Sequence, residues 1–459
     1  HLAMLELEAR RCDMVLTGGV DTFNDIFMYM CFSKTPALSP TGDARPFDAQ
    51  GDGTILGEGL GVLALKRLSD ARRDGDTIYA VIRAIGTSSD GKGNAIYAPS
   101  APGQAKALRR AYALAGFSPE TVELVEAHGT GTRVGDAVEV TALSSVFREA
   151  RPDGSWCALG SVKSQIGHTK AAAGVAGLIK AALALHHKVL PPTIKVESPI
   201  EEIAPGRSPF YINTETRPWV SHPDHPRRAG LSAFGFGGSN YHCILEESEP
   251  AMKQPDWDGE HQILAFSDRD SHALADQLQR WTPPRNWNEL RDVADELRRR
   301  FRSNANARIT LVVRPDDIDS TLQAARDRLV GEERADQARL RSVPGAADIY
   351  LGEGPPPGTL AFVFPGQGSQ SIGMLRDLIC RFPIAFEAFD ALGRLEDSAH
   401  RHLSEWIYPV NEFSTTAASR QTQELRATEI AQPAIGAVGW AAHRLLRGVG
   451  IEPEGVAGH

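Results

Sequence analysis

Two histidines sit in short glycine-bearing loops, His128 in EAHGTGT and His168 in KSQIGHT, and Lys163 precedes the second by five residues. A neutral imidazole can polarise a carbonyl oxygen through its N–H, and a protonated one can hand over a proton near neutral pH. A loop histidine is equally an ordinary solvated or structural residue, so spacing alone does not decide. The surroundings favour chemistry. Thr130 and Thr132 offer hydroxyls to the groups around His128, and Gly129 and Gly131 permit the close turn that brings the ring to a site. Lys163 and Glu139 are expected to pair behind the histidines, where a cation disfavours imidazolium and keeps both rings neutral donors. A surface salt bridge of little value is the alternative.

A second candidate is GFGGSN at 235–240, inside LSAFGFGGSNYHCILEE. It fails as a phosphate-binding loop, because the strand-like YHCILEE follows it where a helix N-terminus is needed. The better expectation is a tight loop around Gly237 and Gly238 that turns backbone N–H groups toward an oxyanion, with Phe234 and Phe236 lining an acyl channel. A plain hairpin turn with core aromatics is the competing reading. GEGLG at 57–61 runs into the strand-like VLALKRL, so its glycines serve packing and not a cofactor. His186 and His187 lack ligand-type partners at i, i+4, which argues against a metal.

The elements that must position these groups alternate. Residues 104–116 read as an amphipathic helix stopped by Gly116, ELVEA as a strand opening into the His128 loop, and 136–147 as a helix. The arrangement repeats with a strand over 157–162, the His168 loop and an Ala/Leu helix over 170–187. Both histidines therefore fall past the ends of strands and before helices, the usual place for functional groups in α/β folds. From about 248 to 355 the texture turns charged, with Pro and Trp. ILAFS and ARITLVV look like strands there, and SHALADQLQRW and STLQAARDRL like helices, which predicts a small α/β linker domain closed by GEGPPPG. A new strand, LAFVF, then leads into PGQGSQ.

Composition bounds the rest. The 459 residues leave room for two or three domains, and 42% hydrophobic with 23% charged residues is globular. A net charge of -9 removes any general electrostatic case for nucleic acid or an anionic membrane surface. The most apolar stretch, 171–185, falls short of the roughly 18 residues of a membrane span. The five cysteines are odd in number and widely spaced, with no CxxC, which indicates neither a disulfide framework nor a zinc site and fits a reducing cytoplasm.

Taken together, RPFDAQGDGTILGEG, EAHGTGTRVGD, GSVKSQIGHTKAAAG and LSAFGFGGSN resemble the successive signatures of β-ketoacyl synthases, in that family's order, over residues 1–247. The resemblance implies a thiolase-like α/β fold, here incomplete, and a decarboxylative Claisen condensation of acyl thioesters with malonyl-carrier protein. It gives His128 and His168 the work of polarising the malonyl thioester and stabilising the enolate, with Lys163 and Glu139 organising them. Phe236 would supply an oxyanion N–H and act as a gate. LAFVFPGQGSQSIGM at 360–374 resembles the opening of malonyl-CoA:acyl carrier protein transacylases, whose oxyanion hole would include Gln367. The expected division is a synthase over 1–247, a linker over 248–355, and the first part of an α/β-hydrolase-like acyltransferase over 356–459. CFSKTPALSPTGDARPFD is similar to synthases of polyunsaturated fatty acid and related iterative systems.

Both nucleophiles of those families are missing. The synthase cysteine would precede HLAMLELEARRCD, and the acyltransferase serine would follow Gly458 and His459; all five cysteines are taken as structural, Cys12 on the far side of the helix. The chain is thus expected to be a piece of a type I polyketide or fatty acid synthase. A catalytically inactive structural or chain-length partner is the alternative. The resemblance implies no directly bound cofactor, phosphopantetheine on a separate carrier domain, malonyl-CoA and acyl thioesters as ligands, an acyl carrier protein domain as partner, and a homodimer.

Overall fold

The computed structural model describes residues 1–35, 37–92, 95, 97–204, 206–248, 260–330, 341–343, 346–355, 358–396 and 401–458. Most of EPAMKQPDWDGEHQ, the last two prolines of GEGPPPG, and His459 lie outside them. The chain forms two compact units, one from residues 1–253, 364–451 and 458–459, the other from 254–363 and 452–457.

The first unit is built on a six-stranded mixed sheet in the spatial order Val81–Ser89, Ser239–Glu246, Arg228–Gly235, Leu124–Glu126, Cys157–Gly160, Phe210–Ile212. The last four strands run parallel, and Ser239–Glu246 is antiparallel to both of its neighbours. Leu124–Glu126 and Cys157–Gly160 are wholly buried, as parallel strands covered on both faces must be. Successive side chains go to opposite faces. Val125, Leu159 and Ile244 join one core with Leu108 and Ala111 of the helix Ala101–Ala115 and Leu143 and Phe147 of the helix Arg133–Ala150. Leu124, Ala158 and Cys243 join the other, with Ala181 and Leu185 of the helix Ala173–His187. Gly86 is required here, since a Cβ would lie 2.1 Å from the carbonyl oxygen of Ala107.

Both expected strand–loop–helix units are present, with the first helix stopped at Gly116 in the left-handed conformation. Leu2–Glu8 is helical, and Cys12 falls past its end and not on it. Met14–Asp21 and Gly59–Lys66 form an antiparallel pair. Residues 364–451 add helices around Phe389, Ile407, Ala434 and Ala441, chiefly Pro383–Gly393 packed on Thr428–Gly448.

The second unit has a four-stranded sheet in the order Gln262–Asp268, Ala307–Val313, Ala346–Glu353, Arg341–Val343. Alternation of buried and half-buried residues along Ala307–Val313 turns Ile309 and Leu311 onto Leu274, Leu290 and Leu322 of three helices. The elements expected from ILAFS, ARITLVV, SHALADQLQRW and STLQAARDRL are all formed.

Candidate active site

The site is set by two adjacent parallel strands. Leu124–Glu126 ends just before His128, Cys157–Gly160 just before the single helical turn Lys163–Ile166 and then His168. Because the strands pair in register, their loops emerge side by side. The two imidazoles meet edge to face, with centroids 5.2 Å apart at 82°.

Each ring is held by its backbone. The Glu139 carboxylate accepts the N–H groups of His128 at 2.7 Å and Gly129 at 2.8 Å. The Lys163 ammonium donates to the His128 carbonyl at 2.5 Å. Among the described residues Lys163 and Glu139 do not pair directly; they grip opposite polar groups of the same loop, which corrects the expected ion pair. Gly129 takes φ 40°, and a Cβ on it would strike Ser161, whose hydroxyl donates to the Gly129 carbonyl at 3.0 Å. The His168 strap is fixed by its N–H donating to the Ile55 carbonyl at 2.6 Å, and its carbonyl accepts from Gly57.

Electrostatics keep both rings neutral. Burial pushes His168 down to about 3, with the charges of Lys163 and Lys170 adding to the effect. His128 is held well below its ordinary value by burial first, then Lys163 and His168. The neighbouring cation was the expected cause, but withdrawal from water is the larger one. The N–H of Lys170 donates to Nδ1 of His168 at 3.0 Å, so a neutral ring carries its proton on Nε2 and is a donor there. Nδ1 of His128 is buried without a partner among the described residues. Burial likewise raises Glu139 and lowers Lys163.

Two cavities, of about 540 and about 470 Å³, share His128, Thr130, Thr132, Phe234 and Phe236 in their walls, and His168 lines the second. The Phe234 ring lies 5.8 Å from His128, and Phe236, 61% exposed, lies 6.0 Å from Phe32. Thr130 and Thr132 bond each other through their hydroxyls at 2.8 Å. Gly237 and Gly238 make the turn with φ of 87° and 78°, but only Gly238 reaches a cavity wall, and Gly237 is exposed. Gln367 belongs elsewhere: it is exposed and donates to the Thr428 hydroxyl at 3.0 Å. Among the described residues none of the five cysteines lines either cavity, and burial raises the thiols of Cys157, Cys243 and Cys380.

Two residues were not singled out from the sequence. Asp136 accepts from the N–H groups of Phe47 at 2.8 Å, Thr130 at 3.0 Å and Gly131 at 3.2 Å, and so fastens the HGTGT loop. Burial raises it to about 6. A carboxylate in the first turn of a helix reads as a favourable charge for the helix dipole, which hides this role. Lys170 pairs with Asp21 at 3.0 Å and donates to the Gly57 carbonyl at 3.1 Å, tying the end of the strand Met14–Asp21 and the Gly57 segment to the His168 loop.

Models of the β-ketoacyl synthase N-terminal domain, C-terminal domain and C-terminal extension match residues 1–71, 79–197 and 199–310, and the acyl transferase domain matches 361–459. A polyunsaturated fatty acid synthase protein of Thraustochytrium sp. is 36% identical over the whole of this chain, and so is the erythronolide synthase EryA3 of Saccharopolyspora erythraea. The chain spans only 17% and 14% of their respective lengths. Among solved structures, the ketosynthase from module 6 of the Bacillus subtilis bacillaene synthase is 36% identical with a TM-score of 0.53, covering 77% of this chain and 59% of that one. The Streptomyces albus oxazolomycin ketosynthase domain is 31% identical with the same score, covering 76% and 62%. The fold is thiolase-like, and the chain belongs to the β-ketoacyl synthases of type I polyketide and polyunsaturated fatty acid synthases, with an acyltransferase segment following.

Proposed function

We propose that His128 and His168 are the oxyanion donors of a decarboxylative Claisen condensation. The observation that supports this most is the pair of neutral rings 5.2 Å apart, one with its Nδ1 already occupied by a backbone donor. A malonyl thioester bound there loses carbon dioxide as the bond to its carboxylate breaks. The electron pair moves into the enolate, whose oxygen carries the charge that fixed N–H donors stabilise best where water is excluded. The enolate carbon then attacks an acyl thioester, a new carbon–carbon bond forms, and a thiolate leaves. Lys163 and Glu139 hold the His128 loop, Thr130 and Thr132 contact the incoming arm, and Phe234, Gly237, Gly238 and Phe236 form the oxyanion turn and gate. Gln367 serves a separate acyltransferase oxyanion hole.

The same reading takes the chain as synthase over 1–247, linker over 248–355 and acyltransferase over 356–459. The end of the strand Ser239–Glu246 and the start of Ala361–Phe364 are compatible with those limits. It supposes malonyl-CoA and acyl thioesters as substrates, phosphopantetheine on a carrier protein domain, a homodimer and a cytoplasmic setting; among the described residues no helix is long and apolar enough to cross a membrane. As a second reading, the chain serves as a catalytically inactive structural or chain-length partner that binds thioesters without turning them over. Carbon dioxide release from malonyl-carrier protein separates the two. Release by this chain that is abolished in H128A and H168A supports the first, and binding without release supports the second.

A further inference from the structure

The larger of the two cavities has a polar station that the proposed chemistry does not use. Gln104 stands in the first turns of the helix Ala101–Ala115, is 2% exposed, and lines that cavity. Its side-chain oxygen Oε1 is buried with no partner among the described residues. Leaving such an acceptor empty is costly, so a native site keeps one where something else fills it. Beside it, the Asp90 carboxylate presses on the backbone of Gly103, where a Cβ would meet its Oδ1 at 1.9 Å. Among the described residues the Asp90 side chain receives one donor, the buried amide of Asn240, at 2.6 Å, and it also lines the cavity.

We propose that Gln104, with Asp90, is a binding station for an N–H or O–H donor carried by the thioester ligand. Two acceptors on the wall of one cavity, one of them a carboxylate, select a donor and disfavour a second carboxylate, so the station does not serve the malonyl carboxylate. The donor's chemistry is shared by two sources: an amide of the pantetheine arm and a hydroxyl on the acyl chain. A plain hydrocarbon chain lying there would leave Oε1 unpaired, and sites built around a polar contact discriminate strongly against ligands that lack it. This inference rests on the thioester reading of the cavity and adds to it a residue that sets which thioesters bind.

The test is equilibrium binding of three probes to the 459-residue chain: the butanoyl thioester of propanethiol, the butanoyl thioester of pantetheine, and the 3-hydroxybutanoyl thioester of propanethiol. The expected result is a preference of about tenfold or more for one of the last two over the first, lost in the near-isosteric Q104M and kept in Q104E, which retains an acceptor. A preference for the pantetheine ester assigns the station to the arm, and one for the hydroxy ester assigns it to the acyl chain. Equal binding of all three by the parent chain, which needs no variant to fold, overturns the station while leaving the thioester reading intact. A preference that survives in Q104M does the same. If none of the three binds, the thioester reading falls and the station with it.

Discussion

The backbone N–H of Lys170 donates to Nδ1 of His168 at 3.0 Å, and Lys170 itself is held at φ 48°. A left-handed lysine is an uncommon conformation, and its ammonium is anchored by Asp21 and the Gly57 carbonyl. The effect is a histidine whose tautomer is set by the main chain. Nitrogen NMR of selectively labelled protein should find His168 protonated on Nε2 and unchanged between about pH 5 and 8, because burial holds its ionisation at about 3. A titration midpoint near the ordinary 6.5 would contradict the arrangement.

Two buried groups outside the histidine pair give stability a pH dependence of opposite sign. His242, fully buried, is held at about 3, so below an unfolded value of about 6.5 the unfolded chain binds the extra proton and stability rises with pH across that window. Asp136, raised to about 6, keeps its proton longer in the fold than the unfolded value of about 3.9 allows, so its contribution falls as pH rises through that range. Urea midpoints measured from about pH 4 to 6 should rise less steeply in H242N than in the parent and more steeply in D136N.

Asp136 should also be a large single determinant of stability. D136A strips the partner from three main-chain donors, on Phe47, Thr130 and Gly131. The expected cost is about 3–5 kcal/mol in denaturant unfolding, and a loss below about 1 kcal/mol would show that the loop is held by other contacts.

Within the same unit, Arg227 bonds Glu247 at 2.7 Å and Asp390 at 3.0 Å while 4% of its side chain is exposed. Asp390 further accepts from the Ser221 N–H and hydroxyl, both at 2.7 Å. D390A should therefore destabilise by about 2–4 kcal/mol, since it leaves those donors and part of a buried cation uncompensated. In a double-mutant cycle the R227M and D390A effects should be less than additive.

How much of this was legible follows from what local sequence encodes. The helix ending at Gly116 and the strand Ala307–Val313 were readable because apolar period and a left-handed stop are local signals. The positions of His128 and His168 were readable from loops flanked by strand and helix. Their common location, by contrast, depends on the pairing of Leu124–Glu126 with Cys157–Gly160, a contact between distant segments. Lys163 and Glu139 belong to the right loop with a different geometry, because opposite charges suggest a pair when each in fact satisfies a backbone group of His128. Asp136 and Gln104 are hidden for a related reason. A first-turn carboxylate or amide looks like helix capping until the partner loop or cavity is in place.

The most direct test of the central claim is the infrared carbonyl band of carbon-13-labelled acetyl-pantetheine bound to this chain. Two pre-aimed N–H donors should weaken the thioester carbonyl, so the account predicts a band shifted to lower frequency than in solution, with the shift reduced in H168A and absent in the H128A/H168A double variant. A bound ligand whose carbonyl stays at its solution frequency, or a shift that survives loss of both rings, would contradict it.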